Sequence, residues 1–166
     1  MYKKAKIRTA LLYICGTLAI GMCVALIIFV VWILVLRTDY KKTCLEINDQ
    51  IVMSQTDQNY VIRDGQTYPL SSEVINYYDE FLLDKKVIVY NRKAAEPDKN
   101  SIVLKINGRT LTFTGQDEGT SVNIRWETGE GVKNYSVRTG SISYMMLNSY
   151  MKNYIRKTEP ITGEEE

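Results

Sequence analysis

The sequence contains no histidine. That removes the commonest general base, the commonest metal ligand and the usual activator of a Ser or Cys nucleophile. Its three cysteines, Cys15, Cys23 and Cys44, form no Cys-x-x-Cys pair, so zinc-binding and thioredoxin-like chemistry have no carrier. No acidic residue precedes Asp39, whereas Lys3, Lys4, Lys6 and Arg8 all fall in the first eight positions. The formal net charge of +2 hides this asymmetry: all 19 acids lie beyond residue 38, and the remainder of the chain is slightly acidic. A nucleic-acid footprint needs a clustered excess of Lys and Arg, and none is present there. No cofactor, no metal site and no catalytic set is expected.

Charge is also missing from Leu11 to Leu36, a run that reads LLYICGTLAIGMCVALIIFVVWILVL. At 1.5 Å per residue such a helix is about 39 Å long, against a hydrocarbon core of roughly 30 Å. It is long enough to span a bilayer with some tilt. Tyr13 and Trp32 stand near its two ends, where amphipathic rings suit the interfaces. The rival reading is a cleaved signal peptide, with Ala19-Ile20-Gly21 as the cleavage site. Apolar sequence continues for fifteen residues beyond it, which favours a permanent anchor. Neither Cys15 nor Cys23 follows the small residue expected before a lipidated cysteine. Orientation follows basic residues. Four of them precede the run, against Arg37, Lys41 and Lys42 after it, so the N-terminus is expected inside and the rest extracytoplasmic.

Thr17, Gly21 and Ala25 recur every four residues. They form a small-xxx-small face on which two membrane helices can approach, although Gly and Ala are common in such helices in any case. The expected partners are therefore the lipid bilayer and, through this face, a membrane protein or a second copy of the chain.

Beyond the run, Thr38–Asn59 reads either as an extension of the helix or as a stalk, with weak alternation over Thr43–Ile47. From Tyr60 the signals improve. Tyr60–Ile62, a turn at Asp64-Gly65 and a return over Gln66–Leu70 make a hairpin, with Pro69 marking an edge. Ser71 and Ser72 offer caps for an amphipathic helix from Ser72 to about Leu83, its stripe made by Val74, Tyr77, Tyr78, Phe81 and Leu82. Strands follow at Lys86–Asn91, Ile102–Ile106, Leu111–Phe113, Val122–Trp126 and Val132–Arg138. Asn107-Gly108 carries the strongest hairpin signal, and Gly129–Gly131 turns the last pair. Ser141 offers a cap for a closing helix to about Arg156, with Leu147, Tyr150, Met151, Tyr154 and Ile155 as its stripe. The fold class is α+β: a transmembrane helix, then a small, mostly antiparallel sheet with two helices packed on one face. The expected organisation is a basic tail (1–10), the membrane helix (11–36), a juxtamembrane stalk (37–58), the folded domain (59–157) and a disordered acidic tail (158–166).

Candidate sites stand beside plainer explanations. Asp79, Glu80 and Asp84 could supply paired carboxylates or hold calcium, but they read first as a solvated helix face. The loop Gly115–Gly119 is acidic but lacks the alternating ligands of a calcium loop. Cys44, an odd thiol shortly after the run, could form an intermolecular disulfide on an oxidising side or be acylated on a cytosolic one. Asn134-Tyr135-Ser136 matches a glycosylation sequon inside an expected strand. Arg125 and Arg138 are expected in solvent, and most of the twelve tyrosines are expected in packing. The functional expectation is a membrane-anchored, extracytoplasmic binding module that is not an enzyme. The alternatives are an accessory subunit of a membrane or secretion complex, and an anchored carboxylate-dependent hydrolase.

Overall fold

A computed structural model describes residues 2–54, 59–84, 86–92, 96–115, 121–139 and 142–161, with side chains from Tyr13 onward. The first helix, α1, runs from Tyr2 to Met53, and the chain divides into two compact units within it, Met1–Val35 and Leu36–Glu166.

In the first unit, every described side chain from Tyr13 to Val35 is exposed, apart from the half-exposed Ile33. This helix is apolar all round, with no buried face. It is long and apolar enough to cross a membrane. The Thr17 hydroxyl donates to the carbonyls of Tyr13 and Ile14 at 3.0 and 2.9 Å, so it is satisfied inside the helix.

The second unit is α+β, as the periodicity implies. Its strands are β1 (Tyr60–Arg63), β2 (Gln66–Pro69), β3 (Ile88–Asn91), β4 (Ile102–Ile106), β5 (Arg109–Gly115), β6 (Ser121–Thr128) and β7 (Gly131–Arg138). Its further helices are α2 (Ser72–Leu83) and α3 (Tyr144–Ile155). The sheet is antiparallel throughout, in the order β2-β1-β4-β5-β6-β7-β3. Cross-strand register aligns Val61 with Leu104, Leu104 with Leu111, Leu111 with Trp126, and Ile124 with Tyr135. Period-2 alternation therefore puts Val61, Ile102, Leu104, Ile106, Leu111, Phe113, Val122, Ile124, Trp126, Tyr135 and Val137 on one face, all buried. At the β4–β5 turn, Asn107 and Gly108 have φ of 47° and 73°, the left-handed pair that a type I′ hairpin requires.

Three helical segments cover that face. From α2, Tyr78 and Phe81 pack on Phe113, with ring centroids 5.2 and 5.8 Å apart. From α3, Tyr144 lies directly over Gly115, where an added Cβ would fall 2.5 Å from the ring. The third segment is Leu36–Met53, the end of α1. Leu36, Tyr40, Thr43, Cys44 and Ile47 are all buried in the same core. The stretch for which helix extension and stalk were both open is thus helical to Met53, and one face of it is core.

Smaller differences have local causes. The stripe of α2 includes Ile75 where the spacing had Tyr77, which is half-buried and stacks on Tyr150 at 4.0 Å. The hydroxyl of Ser143 caps α3, accepting from the N–H of Met146, in place of the expected Ser141, which lies outside the described residues. β3 starts two residues later than expected, because the Val87 N–H is taken by the carbonyl of Asp84. In the C-terminal segment, Ile161 N–H donates to Thr67 O at 2.7 Å, on strand β2 at the sheet edge.

Candidate functional site

Among the described residues, an extended polar arrangement joins the last part of α1 to the sheet. A surface helix with a polar flank must satisfy its side chains where they meet strands. Here Thr43 and Tyr135 share a hydroxyl–hydroxyl hydrogen bond of 2.8 Å, and Tyr135 also lies 2.9 Å from Asp39 Oδ2. Arg92 pairs with the same Asp39 oxygen at 2.9 Å. One turn on, Glu46 accepts from Trp126 Nε1 at 2.9 Å and from Lys133 Nζ at 2.7 Å. Burial alone would raise the Glu46 carboxyl, but the bonds from Lys133 and Trp126 outweigh it and hold the group below its ordinary range. Farther along, Gln50 accepts from Asn107 at 3.0 Å and from Arg109. These contacts fix the helix on the sheet; they do not pair a nucleophile with a base. The Tyr135 phenol is pushed up to about 12, chiefly by burial, and burial likewise raises Tyr40 well above its ordinary value. Both stay protonated and act as hydrogen-bond donors.

The residues singled out in the sequence do not converge. Thr17, Gly21 and Ala25 are exposed in the first unit, and nothing lies within 4 Å of where a Gly21 Cβ would stand. Cys44 is in the second unit, 2% exposed. Burial pushes its thiol up to about 12, partly offset by its hydrogen bond with Tyr40. A thiol in that state is a poor nucleophile, and a bridge through it requires the helix to open.

The three acids of α2 separate by role. Glu80 is exposed, as a solvated face implies. Asp84 caps the helix and accepts the Lys86 N–H at 2.9 Å. Asp79 instead turns toward α1 and accepts from Asn48 Nδ2 at 2.7 Å, while its other oxygen is buried without a partner. Burial raises its carboxyl above the ordinary value. In the loop Gly115–Gly119, residues 116–119 lie outside the described residues. Among the described residues no group of three or more His, Cys, Asp or Glu could hold a metal. Arg138 is exposed, whereas Arg125 is only 24% exposed and pairs with Glu127 and, at 3.9 Å, with Glu96. The sequon lies within β7, with Tyr135 and Ser136 buried.

One concave feature was not legible in the sequence. A cleft of about 260 Å³ opens between the Arg37–Leu45 stretch of α1 and the end of α2. Its floor is Tyr40, Cys44, Leu82 and Val87, all buried, and its rim is Arg37, Lys41, Leu45, Leu83 and Asp84. The surface is predominantly apolar. Only the register of α1 against α2 creates it.

Comparison with known families, with characterised proteins and with solved structures gave no match.

Proposed function

We propose that this chain is a single-pass, membrane-anchored interaction module with its N-terminus cytoplasmic and its α+β domain outside the membrane. One observation carries this reading. The helix from Tyr13 to Val35 presents apolar side chains in every direction and buries none of them. A water-soluble helix keeps a polar face, so this one needs an apolar solvent or partner around it. Four basic residues ahead of the run against three behind it support the orientation. The binding role rests on the site chemistry. The buried phenols and the Cys44 thiol are held protonated, and the polar network is spent on fixing helix to sheet.

The chain is expected to resist alkaline carbonate extraction from membranes. Protease added outside intact cells should digest the domain, and cytoplasm-side protease should not. Extraction by carbonate, or protection of the domain from outside, would overturn the anchor or its orientation respectively. Assembly with a membrane partner is a second reading, favoured by the exposed Thr17–Gly21–Ala25 face. It predicts that Gly21→Ile lowers self-association in a membrane two-hybrid assay; an unchanged signal rules out that face.

A further inference from the structure

We propose that the cleft between α1 and α2 is a binding site for an anionic phospholipid: phosphate against Arg37 and Lys41, acyl chain over the floor of Tyr40, Cys44, Leu82 and Val87. The inference rests on the membrane-spanning reading and adds a ligand to it.

Three observations point the same way. The first is chemical. A mainly apolar floor beneath two cations matches a molecule with a hydrocarbon body and an anionic head. Arg37 and Lys41 are four residues apart on one helix, so they share a face. Both are exposed, and among the described residues neither has an acid within ion-pair distance. Asp84, the single acid on the rim, also takes the Lys86 N–H. The rim therefore keeps an excess of positive charge, which favours an anionic head over a zwitterionic one.

The second is position in the chain. Arg37 directly follows Leu36, the last residue of the apolar run, and Lys41 comes one turn later. The headgroup layer is where a spanning helix leaves hydrocarbon, and cations there are attracted to anionic lipid. The third is size and continuity. Small-molecule pockets usually measure about 300–1,000 Å³. A cleft of about 260 Å³ suits part of one acyl chain rather than a whole soluble ligand. Leu45 and Leu83, 58% and 44% exposed, extend the apolar surface at its mouth. Exposed leucines flanking an apolar floor are expensive in water and compatible with lipid.

The test uses the full chain, purified in a neutral detergent and examined by native mass spectrometry. Phosphatidylglycerol and phosphatidylcholine are added at matched concentrations. The expected result is preferential retention of phosphatidylglycerol. Each cation near anionic lipid is worth about a fivefold change in binding, so Arg37→Gln with Lys41→Gln should lower that retention at least tenfold. Leu83→Asp, at the apolar mouth, should lower retention of both lipids. All three positions are exposed, and an unchanged thermal midpoint verifies that the domain remains folded. Equal retention of the two lipids overturns the proposal. So does a preference that survives both variants, or one lost only when Lys3, Lys4, Lys6 and Arg8 are neutralised. A photoreactive side chain at Leu45 should label lipid in native membranes; capture of a polypeptide instead would assign the cleft to a protein partner and overturn the lipid. Carbonate extraction separates the two levels. Carbonate-resistant chain without lipid preference removes this inference alone, whereas extractable chain removes the spanning reading and this with it.

Discussion

The two stretches of α1 share one backbone conformation and little else. From Tyr13 to Val35 the side chains are apolar on every side and exposed. From Leu36 to Met53 there is neither Gly nor Pro, and one stripe is buried while the other faces water. That stripe is Leu36, Tyr40, Thr43, Cys44 and Ile47, at helical spacing. On the membrane-spanning reading, the contrast is what two solvents require of a helix. In hydrocarbon the intrahelical hydrogen bonds are already complete and any apolar side chain serves. In water the helix must bury a face, and its remaining polar groups must find partners. Thr43, Glu46, Asn48 and Gln50 find theirs on Tyr135, Trp126 with Lys133, Asp79, and Asn107 with Arg109.

Substitutions that treat the two stretches alike should give opposite results. Ile47→Ala removes a core side chain that is 1% exposed. It should lower the stability of the domain by about 2–5 kcal/mol in chemical denaturation of the detergent-solubilised chain. Ile27→Ala, a matched change in the exposed stretch, should leave the same transition within about 0.5 kcal/mol. Equal effects would erase the distinction between the stretches.

Val24→Arg puts a charge near the middle of the apolar run. Insertion should become less favourable by about 2.5–3.5 kcal/mol, read as a fall in the carbonate-resistant fraction. The unfolding midpoint of the domain should not move. Smaller still is Tyr135→Phe, which deletes the hydroxyl bonded to Thr43 and close to Asp39. A loss of about 1 kcal/mol is expected, with no change in membrane retention.

The smallest effects are in pH dependence, and two acids, Asp79 on α2 and Glu46 on α1, should act in opposite senses. The Asp79 carboxyl is raised by burial, so the folded domain keeps a proton that the unfolded chain has lost. Its ionisation costs stability as pH rises through the window just above about 3.9, the ordinary aspartate value. Asp79→Asn should remove that loss and leave the neutral-pH midpoint slightly higher. Glu46 is lowered because its bonds to Lys133 and Trp126 outweigh its burial. Its contribution is complete above the ordinary glutamate value and fades as pH falls through its folded one. Glu46→Gln should therefore lower the neutral-pH midpoint, by no more than the 0–1 kcal/mol typical of an exposed ion pair. Unfolding midpoints measured from pH 3 to 7 distinguish the two; parallel profiles would remove the opposition.

Much of the domain was legible because its signals are local. Alternation over Ile102–Ile106 and Val122–Trp126, the Asn107-Gly108 turn and the stripe of α2 each need only a few neighbouring residues to be read. Leu36–Met53 was not legible for a specific reason. Its buried stripe contains Thr43 and Cys44, and Lys41, Lys42 and Asp49 interrupt the apolar pattern, so Thr43–Ile47 mimics a weak strand. Asp79 misled in the opposite way: it sits among exposed acids in the sequence, yet helical geometry turns it away from Glu80 and onto Asn48. The candidate cleft had no sequence signature, because its floor is drawn from α1, α2 and the segment before β3.

The sequence by itself determined that an uncharged run of membrane-spanning length precedes an α+β domain, since length, hydropathy and short-range periodicity are properties of the chain alone. Only the tertiary structure decided where the exposed apolar helix ends and the core begins. The residues on either side of Leu36 prefer the same helix, and what distinguishes them is a sheet whose strands lie up to a hundred positions away. Packing against the rest of the domain turned the stripe Leu36, Tyr40, Thr43, Cys44 and Ile47 into core, and the register of α1 against α2 opened the cleft beside Arg37 and Lys41.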